Sequence, residues 1–153
     1  MSDIKVTITG DKELVRKINS FVGSGEFSFQ RSLGAAGLYL TDFFAGDVFV
    51  SRGRVIGKPW ARLNESYAQW KAQHFPGRPP LVKSGEMMRG FESKAGPRKL
   101  ELWNTADHFD WQNDGTSRIP ARQMMRIDDQ RAARVVKYIM GDLTERMQSR
   151  GLI

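Results

Sequence analysis

Apolar residues at every second position open the chain: Ile4, Val6 and Ile8 alternate with Lys5, Thr7 and Thr9, and Gly10-Asp11 ends the run. That period of two predicts a half-buried strand. From Asp11, placed to cap a helix, Leu14, Val15, Ile18, Phe21 and Val22 recur at helical spacing until Gly23-Ser24-Gly25 breaks the pattern. A longer helix is predicted from Gln30 to about Val50, with Ser28 as its cap, because Leu33, Ala36, Gly37, Leu40, Phe43 and Phe44 share one broad face. Tyr39 and Phe49 fall off that stripe. Each goes either into the core or onto a contact surface, where aromatic side chains are favoured.

The second half is more broken. Ser51–Pro59, rich in Gly, Arg and Lys, reads as a flexible loop. Asn64 to His74 is predicted to be a short amphipathic helix with Leu63, Tyr67 and Trp70 on one face, ending before Pro76-Gly77-Arg78-Pro79-Pro80. Ser84 to Arg89 suits one helical turn. Residues Phe91 to Ala95 and Lys99 to Asn104, joined by Gly96-Pro97, suit a β-hairpin. After an irregular stretch at Asn113–Ser117, Asp128 is placed to cap a terminal helix in which Arg131, Arg134 and Lys137 face away from Val135, Ile139, Leu143 and Met147. The sum is an α+β domain: a small, mainly antiparallel sheet flanked by helices, with the long second helix and the terminal helix covering it. A chain of 153 residues suits one such domain over 1–153.

Charge narrows the picture. Lys and Arg number 24 against 17 Asp and Glu, a formal charge of +7, which favours approach to nucleic acid or to acidic protein surfaces. The cations are scattered, however, with no basic tail. There is no cysteine, which excludes disulfides, thiolate metal sites and a cysteine nucleophile. The sequence also predicts no signal peptide, no run near the roughly 18 apolar residues of a membrane span, and synthesis in the cytoplasm.

Candidate chemistry is sparse. Gly53-Arg54-Val55-Ile56-Gly57-Lys58 is one residue short of a phosphate-binding loop, and Pro59 replaces the Ser or Thr that would hold magnesium. His74 and His108 are far apart and lie in no zinc-binding spacing. Asp107, His108, Asp110 and Asp114 could hold a divalent cation for nuclease chemistry; the plainer reading is that they cap turns. No catalytic residue, cofactor or metal is predicted.

An ordered series of signals spans Trp60 to Ile127. It runs Trp60-Ala61-Arg62-Leu63, then Tyr67 and Trp70-Lys71, then Pro79-Pro80-Leu81-Val82-Lys83-Ser84-Gly85-Glu86-Met87-Met88. Phe109-Asp110-Trp111-Gln112-Asn113-Asp114-Gly115-Thr116 and Ile119-Pro120-Ala121-Arg122-Gln123-Met124-Met125 complete it. This layout resembles the virion morphogenesis and tail-completion family of Mu-like and related tailed phages. Members show a Trp and Leu before a helix, a Leu-x-x-[ST]-Gly-x-[LM] turn, a hairpin, an aromatic stretch ending in glycine, and Pro-Ala-Arg before the last helix. The chain departs from it twice, in carrying Phe109-Asp110-Trp111-Gln112-Asn113-Asp114-Gly115 where the family usually has a Tyr-Ala or similar pair and then His or Glu-Phe-Gly, and Gln123-Met124 where it usually has Pro-Phe.

The resemblance implies a structural, non-enzymatic protein that forms a ring, a hexamer by family likeness, at the virion neck or head-proximal tail end. Its implied neighbours are neck, tail-terminator or tail-tube proteins, with weak contact to genomic DNA and none to membrane. Trp60, Leu63, Tyr67, Trp70, Leu81, Ser84, Gly85, Met87, Phe109, Trp111, Gly115, Thr116, Pro120, Ala121 and Arg122 are the packing or interface residues it marks. In physical terms, Gly115 permits a backbone conformation closed to other residues and Pro120 fixes the chain as it turns. Trp103, Phe109 and Trp111 are expected to pack that turn onto the sheet. The second reading is a DNA-binding or metal-dependent DNA-processing protein built on Asp107, His108 and Asp110.

Overall fold

The computed structural model describes residues 28–153 and, before them, only Arg16, Ser20 and Gly23, which are helical and exposed. The strand expected at Ile4–Ile8 and, apart from those three positions, the helix expected from Asp11 lie outside the described residues. The elements in chain order are α1 (Gln30–Ser51), α2 (Glu65–His74), α3 (Glu86–Arg89), β1 (Phe91–Ala95), β2 (Leu100–Asn104), α4 (Phe109–Asp114) and α5 (Asp129–Ser149). The fold is α+β.

The strongest apolar periodicity becomes α1, but not as one uniform helix. Regular α-helix ends at Phe43, Phe44–Val48 forms a π turn, and Phe49–Ser51 resumes. A π turn adds one residue to the helical count, which rotates all later side chains by roughly 100°. Asp47, which an unbroken period points inward, is therefore exposed, while Val48 and Phe49 are buried. Phe49 meets Trp60 at 5.2 Å and Phe91 at 6.3 Å between ring centroids. Tyr39, also off the stripe, is half-buried against Phe43 and Tyr138.

The described sheet is one antiparallel hairpin, with Phe91 opposite Asn104 and Ala95 opposite Leu100. α1 lies directly on it. Gly37 makes that approach possible, since a Cβ there would sit 2.6 Å from Ser93 Oγ and 3.0 Å from Leu100 Cδ1. Around this contact Leu40, Phe43, Phe44, Val48 and Phe49 join Phe91, Ile56, Val82, Met87, Ala106, Phe109 and Met124 in the core. By length and composition α1 is capable of crossing a bilayer, contrary to the expectation that no such segment exists. Its apolar face is spent on the hairpin and on α5, as in the core helix of a globular domain.

α5 packs along α1, so of the two helices expected to cover the sheet α1 does so directly and α5 lies mainly behind it. Asp128 caps α5 by accepting from the Arg131 amide at 2.9 Å. The expectation that Arg131 and Arg134 face away from the packed side is corrected. Arg131 is the one buried residue of α5, 6% exposed. Its guanidinium forks onto Asp128 at 2.7 and 2.8 Å and lies 4.3 Å over the Phe43 ring, while Arg134 sits over Tyr39 and Tyr138. A paired carboxylate and an aromatic face together offset the loss of water.

The segment expected to be a flexible loop near 51–59 contains a 3₁₀ turn, Arg54–Ile56. Gly53 N donates to Val48 O, Lys58 N to Gly53 O and Trp60 N to Arg52 O, each at 2.9 Å, and Ile56 is buried in the core.

Candidate binding cleft

The segments 60–63 and 122–125 belong to no helix or strand, so their backbone groups need partners from water or from elsewhere in the fold. Side chains supply them reciprocally. Trp60 Nε1 donates to Gln123 O at 2.7 Å, while Arg122 donates from Nε to Ala61 O and from Nη2 to Arg62 O, both at 2.9 Å. The planar fork of an arginine can reach two successive carbonyls where a lysine reaches one. Asn113 Oδ1 accepts from Met124 N at 2.9 Å and Met125 N at 3.1 Å, and Arg122 N donates to Gln112 O at 2.8 Å. Trp60, Asn113 and Arg122 thus lock the two ends of the ordered sequence series together.

Gly115 ends α4 at φ 78°, ψ 173°, a region essentially confined to glycine, and a Cβ there would meet Ala121 N at 2.7 Å. Thr116 Oγ1 then accepts from the amides of Arg118 and Ile119, closing the turn that delivers Pro120 and Ala121. Phe109 packs edge-on against Phe91 at 5.6 Å, as expected. Trp111 does not pack on the sheet. It is 61% exposed, because α4 turns its Phe109 side to the core and its Trp111 side to solvent, and Trp103 also stands partly open.

Beside this knot α2, the 81–87 segment and the 118–122 turn enclose a cleft of about 770 Å³. It gathers Leu63, Tyr67, Leu81, Ser84, Gly85, Met87, Pro120 and Arg122 of the residues singled out from sequence. Trp60 and Phe109 lie in or against the core instead, and Trp70 and Trp111 at the surface. Leu81, in the cleft wall, takes a left-handed backbone conformation with φ 65°, which is rare for a side-chain-bearing residue.

Five cations line the cleft, Arg62, Lys71, Lys83, Arg118 and Arg122, against a single carboxylate, Glu86. Lys71 is 4% and Arg122 5% exposed, and neither is paired with a carboxylate among the described residues. Lys71 Nζ donates to Pro79 O at 2.5 Å. Burial, and secondly the positive charge of Arg122, push the Lys71 ammonium below the ordinary lysine range; burial also lowers Arg122. Gln112, in the same wall, has a buried Oε1 that accepts no hydrogen bond.

Lys71 is a candidate site residue to which the sequence pattern assigns no role. The shared face of Tyr67 and Trp70 is real, with rings 5.6 Å apart, but it stands half open beneath Lys83, and Lys71 is the residue that α2 buries. The carboxylates of the proposed cation cluster stay apart: Asp107, Asp110 and Asp114 are exposed while His108 joins the cleft wall. Among the described residues no three His, Asp or Glu side chains come together to hold a metal. Compared with family models, curated proteins and solved structures, the chain matches none.

Proposed function

We propose that this chain is a structural virion protein of a tailed bacteriophage, one subunit of a neck ring that completes the tail or joins it to the head. The observation that carries the reading is the convergence of the ordered sequence series. Its separated ends meet through Trp60, Gln123, Arg122, Ala61 and Arg62, bonds that hold backbone segments together and so support a structural role. A protein of this kind works through its surface, and Tyr67, Trp70, Trp103 and Trp111 offer aromatic area of the sort that subunit contacts favour. A closed ring needs heterologous contacts between two different faces of one subunit. Its neighbours would be neck, tail-terminator or tail-tube proteins, after synthesis in the cytoplasm of the infected bacterium.

A DNA-binding or DNA-processing role is the second reading, favoured by the formal charge of +7 and the cations of the cleft. Light scattering of the purified protein, with and without short duplex DNA and magnesium, separates the two. A ring, or a smaller species that assembles on a neck or tail partner and leaves the DNA intact, supports the structural role. A monomer that cuts the DNA overturns it.

A further inference from the structure

We propose that the cleft binds an extended acidic peptide segment of a neighbouring protein, taking its carboxylates on Lys71, Arg118 and Arg122 and its apolar side chains on Leu63, Leu81 and Met87. The inference goes beyond the virion reading and does not depend on it.

The cations carry it first. A buried charge without a counter-ion is unfavourable, and like charges held together are more so. Lys71 and Arg122 are both more than nine-tenths buried and close enough that the charge of one is felt at the other. The fold explains only part of their presence. Arg122 uses Nε and Nη2 on carbonyls and makes no hydrogen bond through Nη1 among the described residues; Lys71 gives one of its three N–H donors to Pro79 O. The remaining donors are open to a ligand anion, and Glu86 is the sole carboxylate in the wall.

The rest of the cleft chooses between anions. Its volume of about 770 Å³ lies within the roughly 300–1,000 Å³ usual for ligand sites. A DNA duplex is too wide to enter and would reach only the exposed Arg62, Lys83 and Arg118 at the rim. Phosphate backbone also has nothing to place on Leu63, Leu81 and Met87. An extended peptide provides both carboxylates and apolar side chains on alternate positions.

The test is fluorescence anisotropy of a labelled alternating Glu-Leu octapeptide with the purified full chain at low salt. The Lys-Leu and all-Glu counterparts and a short DNA duplex serve as competitors. The Glu-Leu peptide should bind saturably and outcompete the others. Arg118→Glu with Lys83→Glu, at two exposed positions that leave the fold intact, should weaken it by about tenfold or more. Lys71→Met should do the same, with the thermal unfolding midpoint measured alongside to show that the variant folds. Absence of saturable binding up to about 1 mM overturns the proposal. So does equal binding by the folded variants, by the all-Glu peptide, or stronger competition by DNA, which would make the cleft a nucleic-acid site. Solution mass and DNA integrity, which test the virion reading, are separate readouts.

Discussion

Replacing Arg122 by methionine keeps an unbranched apolar stem and removes the hydrogen bonds to Ala61 O and Arg62 O, both 2.9 Å long. A hydrogen bond from a charged donor contributes about 1.5–3 kcal/mol. Two effects reduce the loss. Ala61 and Arg62 are exposed, so water can replace part of the lost bonding, and removing a buried cation relieves both its own desolvation and its repulsion of Lys71. A net destabilisation of about 2 kcal/mol is expected, which for a chain of this size lowers Tm by about 4–8 °C. Arg122→Lys can reach one carbonyl and should recover no more than about half of the loss. Trp60→Phe acts on the same pair of segments, so the double variant should lose less than the two single losses together. Thermal unfolding followed by tryptophan fluorescence measures all four variants. A Tm for Arg122→Met within about 1 °C of the parent would show that the guanidinium does not hold these segments, and the reasoning fails.

Gly115→Ala forces a Cβ to within 2.7 Å of Ala121 N in a backbone region other residues avoid, and should cost about 2–3 kcal/mol or block folding, read from the urea midpoint. The Arg131 side chain, and then its amide, hold the Asp128 carboxyl below the usual carboxylate range. A lowered folded-state pKa means that the stabilisation is complete above about pH 4 and is lost as pH falls through the folded value. Asp128→Asn should therefore cost about 1 kcal/mol at neutral pH and flatten the acid side of a stability–pH curve, whereas an unchanged curve would contradict the pairing. Trp111→Ser, at an exposed position, should leave monomer stability within about 0.5 kcal/mol of the parent while shifting the solution mass toward smaller species.

The parts of the fold that were legible rest on local signals. The stripe from Leu33 to Phe44 predicts α1, alternation flanking Gly96-Pro97 predicts the hairpin in its observed place, and Asp128 caps the helix it precedes. α4 was hidden because Asp110, Gln112, Asn113 and Asp114 are residues that loops also favour, and only the burial of Phe109 against Phe91 gives it a helical anchor. Phe49 needed a π turn that the apolar pattern does not announce. Arg131 was read outward because cations usually are, and Lys71 stood in the ordered series with no direction given; what turns them inward is a partner close in the fold, Asp128 and Phe43 for one and the Pro79 carbonyl for the other. Many residues of the cleft stand in the series read from sequence, but their juxtaposition depends on long-range hydrogen bonds such as Arg122 to Ala61, which no periodicity records.

The central claim is most directly tested by electron microscopy of phage particles released from a culture carrying this gene, labelled with gold-conjugated antibody to the purified chain. The account predicts gold confined to the head–tail junction or to the head-proximal end of free tails. Particles without label, with the protein recovered instead in the DNA-bound fraction of the lysate, would contradict it.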